Sequence, residues 1–132
     1  MSNKERVEEY QTQVWTHHNS DIVFDFFAPD AIIHSSVKKL NGPAAMKDTI
    51  EVWLKGVPNI KVYWDAILPE GDKVVSIWHC EGTQAGEFLG LPPSGNKLEY
   101  KGITVYEFKD DLIQEYWGIV DIENIKAQCL KS

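Results

Sequence analysis

Cysteine is scarce in this chain: Cys80 and Cys129 are the only two among 132 residues. Two cysteines make no disulfide framework, and a chain this long buries enough apolar surface to fold without staples. Both read as free thiols in a reducing compartment. Basic residues are outnumbered, 13 against 20 acidic ones, for a formal net charge of −7. Nucleic acids and anionic membranes recruit positive surfaces, so neither is an expected partner. No apolar run approaches the ~20 residues of a transmembrane helix. The opening Met-Ser-Asn-Lys-Glu-Arg leads into an amphipathic pattern, not an apolar signal segment. The expectation is a single cytoplasmic domain over residues 1–132.

Familiar site motifs are missing too. His17, His18, His34 and His79 show no HExxH or CxxC spacing, so no metal site is expected. There is no GxGxxG, no P-loop and no nucleophile elbow. Cys80 follows His79, but neighbours on a strand point to opposite faces, which argues against a dyad. Acid/base chemistry is what remains.

Aromatic residues are plentiful, with five each of Trp, Tyr and Phe. Such rings fill cores and line pockets for flat apolar ligands. Over residues 3–17, Val7, Tyr10 and Val14 recur at helical spacing, with Trp15 beside them. A second short helix is expected to hold Ile22, Val23, Phe24, Phe26 and Phe27, stopped by Pro29. Residues 31–35 form a short strand candidate carrying His34. Asn41-Gly42-Pro43 starts a helix with Met46, Ile50, Trp53 and Leu54 on its apolar stripe and Gly56 at its stop. The period then changes to that of strands, over 60–68, 74–81, 98–108 and 112–120, before a closing helix at 121–130. Helices first and a strand meander after them predict an α+β fold, with helices on one face of a curved antiparallel sheet. The mouth of such a cone is a natural ligand cavity.

Two features point to a site. The stretch from Trp78 to Gly95 holds Gly82, Gly86, Gly90, Gly95 and Pro92-Pro93, stiffer and longer than a hairpin turn needs. With Phe88, Leu89 and Leu91 to bury, it reads as a cavity wall. On the last strand, alternation puts Glu115, Trp117, Ile119 and Asp121 on one face and Gln114, Tyr116, Gly118 and Val120 on the other. If the first face is concave, Asp121 is a desolvated general base; otherwise it caps the closing helix. His34 and His79 are each either core histidines or catalytic partners.

The run Gly82-Thr83-Gln84-Ala85-Gly86, then Phe88-Leu89-Gly90 and Pro92-Pro93-Ser94-Gly95, resembles the signature loop of the SnoaL-like polyketide cyclases, or ester cyclases, of the NTF2-like superfamily. Gly102-Ile103-Thr104-Val105-Tyr106-Glu107-Phe108 matches the strand that follows, and Ile113, Glu115, Trp117 and Asp121 match the last one. The resemblance implies a cone-shaped α+β barrel, a homodimer or homotetramer, and a pocket for a small apolar or aromatic carbonyl ligand. It implies Asp121 as acid/base, removing a proton α to a carbonyl so that the enolate closes a ring by intramolecular aldol attack, with no metal or organic cofactor. His34, His79 and Gln84 are then the candidate hydrogen-bond donors. Trp15, Trp78, Phe88, Tyr106 and Trp117 are the candidate wall. Two departures stand out: Gln84 replaces the family's usual His, and Asp111-Leu112 its common Gly-Lys. The alternatives are an isomerase- or dehydratase-like enzyme and a non-catalytic binding or oligomerisation module.

Overall fold

Ser2 starts the first helix. Its hydroxyl accepts from the Glu5 amide at 3.1 Å, and the Glu5 carboxylate accepts from the Ser2 amide at 3.0 Å, a reciprocal cap. The computed structural model describes residues Met1–Ser132. Helix α1 (Asn3–Gln11) buries Val7, Tyr10 and Gln11. It then widens into one π turn, Thr12–Thr16, with the His17 amide bonded to the Thr12 carbonyl. The wider turn leaves Val14 buried and Trp15 half-buried.

The second helix is shorter than its sequence suggests. A 3₁₀ turn (Ser20–Ile22) leads into α2 (Val23–Phe26), and strand β1 (Phe27–His34) begins at once. A dense apolar cluster fits a buried strand as well as a helix, and pairing of Phe27 with Ile113 decides for the strand from there. Pro29 does not end the element. It lies where the ladder shifts register between Phe27 and Ile32, so its missing N–H costs no ladder bond there.

Strand β2 (Lys39–Asn41), too short to show a period, pairs back on β1. Helix α3 (Pro43–Gly56) follows, with Pro43 in its first turn and Met46 and Ile50 buried. Strands β3 (Lys61–Glu70), β4 (Lys73–Thr83), β5 (Lys97–Lys109) and β6 (Leu112–Val120) form the meander, and α4 (Ile122–Cys129) closes the chain. The sheet order is β2-β1-β6-β5-β4-β3. Every pair is antiparallel except β1 with β6, which is parallel; the sheet is therefore not antiparallel throughout.

Alternation decides what the concave face carries. β5 buries Leu98, Tyr100, Thr104, Tyr106 and Phe108; β4 buries Val74, Ser76 and Cys80, with Trp78 between them. Helices α1 and α3 fill the concavity, where Val7, Val14, Ile33, Ile50 and Ile113 are fully buried in one core. A second core, with Val57, Phe88, Leu98, Ile125 and Cys129, seals the end under α4. No helix is long and apolar enough to cross a membrane.

Candidate functional site

Between the two cores the concave face leaves a cavity of about 70 Å³, lined by 17 residues. The helices contribute Tyr10, Gln11 and Trp15 from α1 and its π turn, and Thr49 and Trp53 from α3. Strands β3 to β6 contribute Trp64, Trp78, Tyr100, Thr104, Tyr106, Tyr116 and Gly118, among others. Four of the chain's five tryptophans and four of its five tyrosines are on this wall. It has no Asp, Glu, His, Lys or Arg.

The wall's polar groups are neutral and mostly donors. Burial pushes the phenols of Tyr10, Tyr100 and Tyr106 well above their usual range. Burial also raises Tyr116, to about 12, against a bond to Thr104 that lowers it. All four therefore keep their protons at neutral pH. Trp78 Nε1 donates to Thr104 Oγ1 at 3.0 Å. Tyr106 donates to Gln11 Oε1 at 3.1 Å, a fully buried bond. The Tyr10 hydroxyl and Gln11 Nε2 are buried and have no partner within the chain. The Tyr10 and Tyr116 rings both pack against the Tyr106 ring, edge to face.

Of the residues singled out from sequence, Trp15, Trp78 and Tyr106 line this cavity. The others lie elsewhere. On β6 the concave set is Tyr116, Gly118 and Val120, so Glu115 and Trp117 point outward. Asp121 is exposed, and its carboxylate accepts from the Asn124 amide at 3.0 Å, which makes it the N-cap of α4. His34 follows buried Ile33 and so faces out, with Nε2 2.7 Å from Glu115 and its ring stacked on Trp117 at 5.3 Å. His79 is also on the outer face. Its Nδ1 lies 2.8 Å from Asp65, and its ring stacks on Tyr63. Asp121 and His79 do share one hollow, an open one that also takes in Tyr63, Glu81, Glu99, Tyr100 and Lys101. His34 is apart from it.

The Gly- and Pro-rich loop after β4 backs the cavity and does not line it. Gln84, fully buried, is its centre: Nε2 donates to the carbonyls of Gly86, Leu91 and Pro92 at 3.3, 3.3 and 3.0 Å, while Oε1 accepts from Ser94. Every polar atom of that side chain is thus spent within the loop. Phe88 packs edge-on against Trp53 at 4.8 Å, from behind the wall. Gly86 is required by close approach, since a Cβ there would sit 2.2 Å from the Lys55 carbonyl oxygen. No three His, Cys, Asp or Glu side chains are close enough together to hold a metal ion. Cys80 is buried, its thiol pushed up to about 12 by burial, and is inert as a nucleophile at neutral pH.

Gln11, Tyr10, Tyr116 and Thr104 escaped the sequence reading as site residues. Gln11 had a signal: it is a polar residue on the buried stripe of α1, four positions from Val7 and one from Tyr10.

The family profile of the SnoaL-like polyketide cyclases matches residues 5–129. Direct comparison with curated proteins finds no match. Among solved structures, a protein from Jannaschia sp. CCS1 named for the SnoaL-like polyketide cyclases superposes with a TM-score of 0.86 at 21% identity, over 100% of this chain and 97% of its own. TsrD from Streptomyces laurentii gives 0.84 at 21% identity, over 98% of each chain. A SnoaL-like polyketide cyclase from Agrobacterium tumefaciens C58 gives 0.76 at 15% identity, over 97% of this chain and 98% of its own. At these identities the structures speak for the fold alone, an NTF2-like α+β cone. With the profile covering nearly the whole sequence, the chain belongs to the SnoaL-like polyketide cyclase family.

Proposed function

We propose that this chain takes a small, flat, uncharged carbonyl compound, of the polyketide kind for which its family is named, into the aromatic cavity and holds the carbonyl oxygen with neutral donors. The observation that carries this reading is the make-up of the wall: indoles, phenols, hydroxyls and an amide, with no ionisable acid, imidazole or cation. A charged ligand loses its hydration there without meeting a counter-charge, a cost of several kcal/mol. A neutral planar ligand gains ring contacts and buried area instead. At about 70 Å³ the cavity is smaller than the ~150 Å³ that admits benzene to an engineered apolar cavity. Admission of a ring therefore displaces part of the wall, whose four indoles are all only half-buried.

A second reading adds catalysis. Ring closure by an enolate needs a base, and the family resemblance nominates Asp121. One observation favours it: Val120 lines the cavity, Asp121 is the next residue, and Tyr100 borders both the cavity and the outer hollow. Isomerisation or dehydration begins with the same proton removal and differs in forming no new carbon–carbon bond.

The experiment is a titration with a panel of aromatic and polyketide-like ketones, following tryptophan fluorescence and analysing the recovered compound by chromatography. Saturable quenching with the ketone recovered unchanged is the result expected of binding alone. Turnover that vanishes in Asp121→Asn establishes the second reading, and turnover that persists there removes Asp121 as the base. Failure of every ketone to bind overturns both.

A second copy of the chain, as a homodimer or homotetramer, is the proposed macromolecular partner. On the outer face Ile77, Ile103 and Ile119 stand in register across three strands, beside Val75, Val105 and Trp117. Ile103 and Ile119 are 40% and 56% exposed. An apolar row of this kind, meeting its own copy about a two-fold axis, makes a self-complementary interface. Ile119→Lys is expected to turn the oligomer into a monomer in sedimentation equilibrium, and an unchanged mass overturns this assignment.

A further inference from the structure

Resting on the reading of the cavity as a ligand site, we infer that Gln11 Nε2 and the Tyr10 hydroxyl together bind one acceptor oxygen of the ligand, and that Tyr106 is the residue that orients Gln11 for the purpose. Gln11 is 1% exposed and Tyr10 likewise, and both are on the cavity wall. A buried amide or phenol without a partner is disfavoured, and native proteins carry few of them. Two donors from adjacent residues, orphaned on the same wall, point to an acceptor supplied from outside the chain.

The orientation of the amide follows from Tyr106. A phenol is a better donor than acceptor, and the Tyr106 hydroxyl donates to Gln11 Oε1 at 3.1 Å. With its oxygen turned to Tyr106, the Gln11 side chain presents its N–H groups to the cavity. Burial keeps Tyr10 protonated, so it too is a donor. The pair therefore selects a carbonyl or enol oxygen and rejects a group of the same shape without lone pairs. Tyr106 touches Gln11 and acts through it, as a positioning residue.

The probes are acetophenone and α-methylstyrene, nearly identical in shape, in which a carbonyl oxygen is exchanged for a methylene. The full chain is expected to bind acetophenone at least about tenfold more tightly, since one ligand oxygen satisfies two otherwise unpaired buried donors. The Gln11 side-chain amide signals are expected to shift in NMR with the ketone and not with the alkene. In Gln11→Met the preference falls severalfold, the Tyr10 hydroxyl being the one donor left, and in Gln11→Met combined with Tyr10→Phe it falls to near parity. Gln11→Met combined with Tyr106→Phe removes both partners of the internal bond, protects folding, and shows the same reduced preference as Gln11→Met. Tyr106→Phe alone gives an intermediate preference, since the amide is then free to turn its oxygen to the cavity. Equal binding of the two probes to the wild type overturns the acceptor site and leaves the cavity as an apolar pocket. Binding of neither overturns the reading of the cavity as a site for single-ring ketones, and the acceptor site with it.

Discussion

Tyr106 and Gln11 lie 95 residues apart in sequence and are joined by a 3.1 Å hydrogen bond inside the protein, tying the longest strand to the first helix. Both are buried, so water cannot replace either partner. Tyr106→Phe deletes the donor and leaves the Gln11 amide without any partner in the free protein. A loss of about 1–3 kcal/mol is expected in urea unfolding. Adding Gln11→Met removes the stranded amide and restores most of that loss, because exchanging both partners for apolar groups of similar shape is close to neutral.

Asp121 separates a structural from a catalytic role cleanly. Asn caps a helix about as well as Asp, whereas Ala does not. Asp121→Asn is expected to leave the urea midpoint nearly unchanged, and Asp121→Ala to cost about 1 kcal/mol by losing the bond to the Asn124 amide. A fall in both variants of similar size means that the carboxylate's charge, and not its cap, stabilises the fold.

The long strands and the helices at residues 3–11 and 43–56 were legible because their apolar periods are long and unambiguous. The strand from Phe27 was not, since its apolar residues crowd together around Asp25 and Pro29 without a clear period. Alternation on β6 sorted its residues correctly into two sets. Which set faces the cavity depends on the direction in which the sheet curves, and that is set by α1 and α3 packing against it. Trp117 and Asp121 belonged to the cavity only if their face were the concave one, and it is the other set that lines it; His34, which the sequence left open, lies on the outer face beside Trp117, with which it pairs. The Gly- and Pro-rich loop reads as stiff from its sequence, but stiffness does not say whether a loop faces a cavity or backs it. Gln84 illustrates the difference, since its four hydrogen bonds all stay inside the loop.

Gln84→Leu therefore tests the loop and leaves the wall intact. It strands three carbonyls and the Ser94 hydroxyl in one step. A loss of at least about 3 kcal/mol is expected, less than a simple sum because the bonds share one side chain. Gln84→His restores the residue usual in the family. One imidazole N–H reaches fewer carbonyls than an amide NH₂, so a smaller loss is expected, on the order of 1–2 kcal/mol. Chemical-shift changes confined to residues 84–95 and their neighbours on α3 support the assignment, and changes centred on the cavity contradict it.

Four buried phenols make the alkaline limb of stability steep. Tyr10, Tyr100 and Tyr106 are held well above the ordinary phenol value of about 10 by burial, and Tyr116 is held up at about 12. Below about pH 10 the folded and unfolded chains both keep these protons, and their stabilising effect is fully present. Between about pH 10 and 12 the unfolded chain releases protons that the folded chain still holds, so stability falls as pH rises. Urea midpoints are expected to drop through that window, with tyrosinate absorbance from these residues appearing together with unfolding. Tyrosinate absorbance from all the tyrosines ahead of any loss of structure contradicts the burial of these hydroxyls.

Gly102 sits directly across from Trp78 on the neighbouring strand, and across from Val120 on the other side. A Cβ at this position falls 2.5 Å from the Trp78 ring and 2.7 Å from the Ile119 carbonyl oxygen. The strand thus carries glycine so that the benzo edge of the Trp78 indole can approach its backbone on the cavity wall. Gly102→Ala cannot be absorbed by the Ile119 backbone alone, and the ring is the more mobile of the two neighbours. Its displacement breaks the 3.0 Å bond from Nε1 to Thr104 and pushes the indole into the ligand space. A cost of about 1–3 kcal/mol from overpacking is expected, with a red-shifted tryptophan emission and at least a tenfold loss in ketone affinity. Since no polar group is altered, a variant that keeps its fold and its ketone affinity shows that Trp78 is not part of the binding wall.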